Sequence, residues 1–138
     1  MHRPIPLLLC ALIAQPLHAA ACDIDVSAVE FRIEDLEPAY GALLSDISCD
    51  LPTLPAHRLM CDSAEASQDD LWRMGRLDDL AWVYALENAT GLMVDISDPV
   101  RDEGFLAARD ACTDVACLCR ALIQHTNDSL GGTSPYPQ

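Results

Sequence analysis

Arg109-Asp110-Ala111-Cys112-Thr113-Asp114-Val115-Ala116-Cys117-Leu118-Cys119 is the stretch on which the fold turns. Thr113-Asp114 is a turn pair, and Asp114 is a natural cap for a following helix. Apolar periodic sequence runs into the stretch through Phe105 and Leu106. It runs out with Leu118, Ala121, Leu122 and His125 on one helical face. Two antiparallel helices meeting at this turn bring Cys112 and Cys117 within the few ångströms that a disulfide requires. The expected fold is all-α: a small disulfide-stapled helical domain ending in an antiparallel helical hairpin.

Working upstream, the first hairpin helix is expected to open at Asp98-Pro99, with Asp98 capping and Pro99 in the first turn. It would bury Val100, Phe105, Leu106 and Cys112. Leu92 to Ser97 is a short apolar connector. Ala66 to Ala89 is the longest helix candidate. Leu77, Leu80, Ala81 and Tyr84 recur there at i, i+3, i+4 and i+7. Asp69, Asp70, Arg73, Arg76, Asp78, Asp79 and Glu87 are expected on its wet side, and Gly91 closes it. Cys49 to Pro55 is a proline loop, followed by a brief turn and a helix start at Asp62 or Ser63. Residues 23–37 alternate like a strand and also repeat at helical spacing, through Val26, Val29, Ile33 and Leu36. Pro38 is expected to open a short helix reaching Asp46.

The N-terminus reads as an export signal, residues 1–21: Arg3, an apolar run from Ile5 to Leu17, then Ala19-Ala20-Ala21. That run is shorter than the roughly 20 residues a membrane span needs. Residues 22–130 form one domain, and 131–138, with Gly131-Gly132-Thr133-Ser134-Pro135, a flexible tail. Ala19 to Cys22 also resembles a lipobox, so lipidation at Cys22 is the alternative, and the only membrane link expected. The expected location is the periplasm or cell envelope.

The whole chain has 8 basic and 22 acidic side chains, a net charge of −14, and no lysine. Removing Arg3 takes the net charge to −15. Nucleic acid is excluded as a partner, because phosphate binding draws on basic side chains. A basic protein partner is favoured electrostatically.

Six cysteines remain after the signal: Cys22, Cys49, Cys61, Cys112, Cys117 and Cys119. An even number in an exported domain reads as disulfides, with 15 pairings open. Cys112 with Cys117 closes the hairpin turn. Cys49 with Cys61 closes the proline loop. Cys22 and Cys119 are left to each other. A Cys112, Cys117, Cys119 and His125 zinc set is the competing reading, disfavoured by an oxidising compartment. No motif for a catalytic nucleophile, a catalytic metal or a cofactor is evident, so neither catalysis nor a cofactor is expected. His125 is expected as a packed residue rather than a base.

Leu59-Met60-Cys61, Leu77-Asp78-Asp79-Leu80-Ala81-Trp82-Val83-Tyr84, Phe105 to Cys112 and Ala116-Cys117-Leu118 together form a wider pattern. It resembles the LprI-type, lysozyme-inhibitor-like domain of bacterial envelope proteins over roughly Ile47 to Leu130. The Arg109-Asp110-x-Cys112 with Cys117-Leu118 hairpin is its most specific part. Departures fall at His57, where that family has glutamate, Asp102, where it has glutamine, and Phe105, where it has tryptophan. Cys22 and Cys119 are additional. The resemblance implies Cys49–Cys61 and Cys112–Cys117 bridges and a non-enzymatic binding module inhibiting lysozyme-type muramidases. The alternative is a structural or interaction protein of the envelope. The inhibitory surface is expected in Cys49 to Cys61 or Leu92 to Asp98.

Overall fold

A computed structural model describes residues 22–65 and 70–138, so the expected export signal lies outside the described residues. Among the described residues there are five α-helices: α1 Val26–Tyr40, α2 Pro55–Glu65, α3 Asp70–Thr90, α4 Glu103–Asp110 and α5 Val115–Leu130. No strand occurs among the described residues.

Three of these helices, α1, α4 and α5, begin where short acidic side chains can take up free backbone donors. Asp25, Asp102 and Asp114 accept from the backbone N–H of Ala28, Phe105 and Cys117, at 3.1, 3.0 and 2.8 Å. Each such cap is worth about 1 kcal/mol. Gly91 and Gly131 end α3 and α5 with φ of +68° and +54°, the left-handed region that glycine enters freely.

The central helix is α3, which packs most extensively on α5 and α1. Leu71, Met74, Leu77, Leu80, Ala81 and Val83 are buried along it. Val29, Leu36 and Tyr40 meet it from α1, and Leu118 and Leu122 are buried on α5. The α4–α5 pair is the expected antiparallel hairpin. Cys112–Cys117 joins the helices at the turn, and Phe105 of α4 stacks on His125 near the far end of α5.

Three disulfides staple the domain: Cys22–Cys119, Cys49–Cys61 and Cys112–Cys117. They close 97, 12 and 5 residues of chain, respectively. Chain entropy assigns them about 4.7, 2.8 and 2 kcal/mol. The Cys22 sulfur is paired with Cys119. No helix among the described residues is long and apolar enough to cross a membrane. Structural disulfides of this kind belong to oxidising, extracytoplasmic compartments.

Several expectations change. Pro38 sits inside the last turn of α1 rather than opening a helix, and the chain beyond Tyr40 is loop. The donor that Pro38 lacks would have served Glu34, which is exposed and can turn to water. Arg76 then draws the carbonyls of Leu43 (2.6 Å) and Gly41 (3.0 Å) toward α3, holding this segment as a loop. Pro55 starts α2 at the first helical position, so the turn and helix expected near Cys61 are one helix.

Residues 98–101 are loop, and Asp102 rather than Asp98 caps α4. The Trp82 indole donates to the Val100 carbonyl at 2.8 Å, and Arg101 reaches Asp79 and the Leu44 carbonyl. These bonds hold Val100–Arg101 out of the helix. Val100 is consequently 71% exposed, not buried.

The C-terminal segment is packed rather than a flexible tail. Tyr136 is buried, Asn127 donates to the Pro137 carbonyl at 2.9 Å, and Arg32 of α1 donates to Thr133.

Candidate functional site

Charged side chains from five parts of the chain converge beside the core. Arg109 of α4 is their centre, only 3% exposed. Its Nη1 and Nη2 donate to the two oxygens of Asp46 at 2.9 and 2.6 Å, a bidentate fork. Its Nε donates to Asp110 Oδ1 at 2.9 Å, and that oxygen also meets His57 Nε2 of α2 at 2.9 Å. Burial opposes charge on Asp46, but the Arg109 fork outweighs it and holds the carboxyl below its ordinary range. Arg109 is raised in turn: burial opposes its charge, and Asp46 and Asp110 overcome that opposition.

His125 of α5 anchors the next group. Its Nδ1 lies 2.8 Å from Asp78 Oδ1, and the Thr126 hydroxyl donates to the same oxygen at 3.0 Å. Its Nε2 faces Asp102 Oδ2 at 3.4 Å. The Phe105 ring stacks on the imidazole at 3.8 Å, and Trp82 stands 5.3 Å away. Burial opposes a charged imidazole, but Asp78 and Asp102 overcome it and raise the His125 pKa. Nε2 faces a carboxylate where a serine–histidine pair would present a hydroxyl. The arrangement favours a charged imidazole and stacks it on an aromatic face.

Arg101 and Asp79 form the third group, paired at 3.2 Å. Arg101 also donates to the Leu44 carbonyl at 3.0 Å, joining the 41–54 loop to the 91–101 loop. Asp79 is pushed up to about 7, first by burial and then by Asp78 beside it.

No protein-family model, curated protein or solved structure matches the chain.

The six expected disulfide cysteines are all paired, so Cys112, Cys117 and Cys119 are not available as a zinc set with His125. Asp70, Asp78 and Asp79, expected on the wet side of α3, are instead drawn inward. A sequence signal existed for Asp78, which lies four residues after Met74 and three before Ala81, on the apolar stripe itself. Asp46, Arg101 and Arg109 carry no such signal, because their partners come from distant parts of the chain.

The loops present a different surface. Among the described residues the exposed large apolar side chains are Phe31, Leu44, Leu51, Leu54, Leu92, Met93 and Val100. All but Phe31 lie in the 41–54 and 91–101 loops. Leu51 is 87% exposed and Met93 94%. Asp50, Asp95 and Asp98 are exposed among them.

Proposed function

We propose that the protein is an exported binding module that captures a basic protein, with lysozyme-type muramidases as the first candidates. The carrying observation is the pair of joined loops, which combine exposed leucine, methionine and valine with exposed aspartate on a disulfide-stapled frame. Exposed apolar groups ringed by one sign of charge are what a complementary partner would cover. Arg101 bonded to the Leu44 carbonyl and Trp82 bonded to the Val100 carbonyl hold this surface in place before binding. Preorganisation of that kind lowers the ordering cost of association.

The reading extends the LprI-type resemblance. The departures His57, Asp102 and Phe105 lie in one contiguous cluster: His57 on Asp110, Asp102 on His125 and Phe105 stacked on His125. Their meeting supports a concerted replacement within one architecture. The Arg109-Asp110 pair is taken up by buried ion pairs, so the binding role falls to the loops rather than to the motif.

The test is titration of the oxidised domain, residues 22–138, into muramidase assays with several basic lysozymes. Stoichiometric inhibition is expected, weakened by placing a positive charge at Leu51 or Met93 (Leu51→Lys, Met93→Lys). Full activity of every muramidase at excess domain would overturn the choice of partner and favour a structural role in the envelope.

A further inference from the structure

A cavity of about 250 Å³ opens between the 41–47 loop, α2 and α3, walled by Leu43, Met60 and Trp72. Leu44, 77% exposed, stands at its edge. Two charged groups reach it, Arg76 and Asp79. The guanidinium of Arg76 is spent on the Leu43 and Gly41 carbonyls and lies 3.6 Å from Glu37. Asp79 is only half spent. Its Oδ1 accepts from Arg101 at 3.2 Å, while Oδ2 accepts no hydrogen bond from any described residue. Its side chain is 13% exposed, so Oδ2 keeps a narrow opening to solvent through which a donor can reach it. A wider groove beyond Trp72 and Arg76 is lined by Glu30, Glu34 and Glu37, of which Arg73 and Arg76 pair with Glu30 and Glu37 and leave Glu34 as the unpaired charge there among the described residues.

We propose that this cavity receives the side chain of a lysine from the basic partner, its stem against Leu43, Met60 and Trp72 and its ammonium on Asp79. Lysine joins a four-carbon apolar stem to a compact charge, which matches apolar walls ending in one open carboxylate oxygen. Arginine matches less well, because its fork needs both oxygens of a carboxylate and Arg101 already holds one. The indole of Trp72 adds attraction for a cation. The chain has no lysine of its own to compete. Burial and Asp78 work against the charge on Asp79 in the free protein, and Arg101 and Arg109 offset them only in part. An arriving ammonium supplies the missing compensation.

The identity of the occupant rests on the basic-partner reading above, but the test needs no muramidase. The oxidised domain is titrated with Nα-acetyl-lysine methylamide and followed by amide and methyl NMR. The norleucine and arginine analogues serve as controls. Shifts are expected at Leu43, Met60, Trp72 and Gly75. The norleucine analogue should bind about tenfold more weakly or worse, since it lacks the charged hydrogen bond. Asp79→Asn should lose a similar factor. Leu44→Lys, at an exposed position where the fold is not at stake, should also weaken binding. Equal binding of the norleucine analogue, shifts elsewhere, or undiminished binding by both variants would overturn the proposal. If the wild type inhibits a muramidase and Asp79→Asn inhibits it equally, this pocket is overturned and the proposed function stands. Lysine-specific binding with every muramidase unaffected would support the pocket and overturn only the choice of partner.

Discussion

Replacing Arg109 with methionine should be the most damaging single change among the charged side chains. The side chain is 4% exposed, and its loss leaves Asp46 without its bidentate donor and Asp110 with His57 alone. Breaking a buried ion pair from one side costs about 3–5 kcal/mol. Asp46 and Asp110 are 22% and 29% exposed, so water repairs part of the loss. That places the expected cost near the lower end, about 3 kcal/mol. For a domain of this size it corresponds to a fall in Tm of about 10–15 °C. The assay is thermal unfolding followed by far-UV circular dichroism at pH 7 with disulfides intact. Removing both charges, in Arg109→Met with Asp46→Leu, should cost clearly less than the two single changes added together, because no orphaned carboxylate remains. Asp46, held low by Arg109, contributes stability above its unfolded pKa that disappears as pH falls through its folded value. Arg109→Met should therefore also flatten the acid limb of the stability profile. A Tm loss under about 3 °C, or strict additivity in the double variant, would refute the argument that this cluster holds the loops to the helices.

Three further predictions rest on separate features. Asp79 is pushed up to about 7, so the unfolded chain ionises first and stability drains away as pH rises from about 4 to 7. Asp79→Asn should then unfold about 1–3 kcal/mol later than the wild type at pH 8 and differ little near pH 4, by denaturant titration. His125 is raised by Asp78 and Asp102, so its contribution is complete below about pH 6.5 and lost as pH climbs through the folded value. In His125→Gln that alkaline decline should vanish from Tm measured against pH. Paired Cys→Ser changes should cost most at Cys22–Cys119, less at Cys49–Cys61 and least at Cys112–Cys117, about 4.7, 2.8 and 2 kcal/mol; calorimetry of the three variants checks the order.

Local chemistry was readable where one residue and its near neighbours decide the outcome. The Asp114 cap, the Gly91 stop and the hairpin between Phe105 and His125 were all expected from short-range pattern and are present. Boundaries set by distant partners were not. Asp98-Pro99 looks like a better helix start than Asp102, but Trp82 and Arg101 fix the intervening residues from α3. Tyr136 follows a glycine-rich segment that reads as tail, and its burial depends on how the end of the chain folds back. The candidate site was least legible. Asp46 and Arg109 are 63 positions apart, and Asp78 and His125 47, separations at which no periodicity links one charge to another. The loops were legible only in part: cysteines, prolines and the apolar connector mark 48–54 and 92–97, whereas 41–46 and 98–101 read as helix and are held as loop by Arg76, Trp82 and Asp79.

The central claim is that an acidic, lysine-free surface recruits a basic partner, and association kinetics test it most directly. Stopped-flow binding of the oxidised domain to a basic lysozyme, measured over a range of salt concentrations, separates steering from contact. The account predicts an association rate that falls steeply with salt while the dissociation rate changes little. No detectable association, or an association rate indifferent to salt, would contradict it.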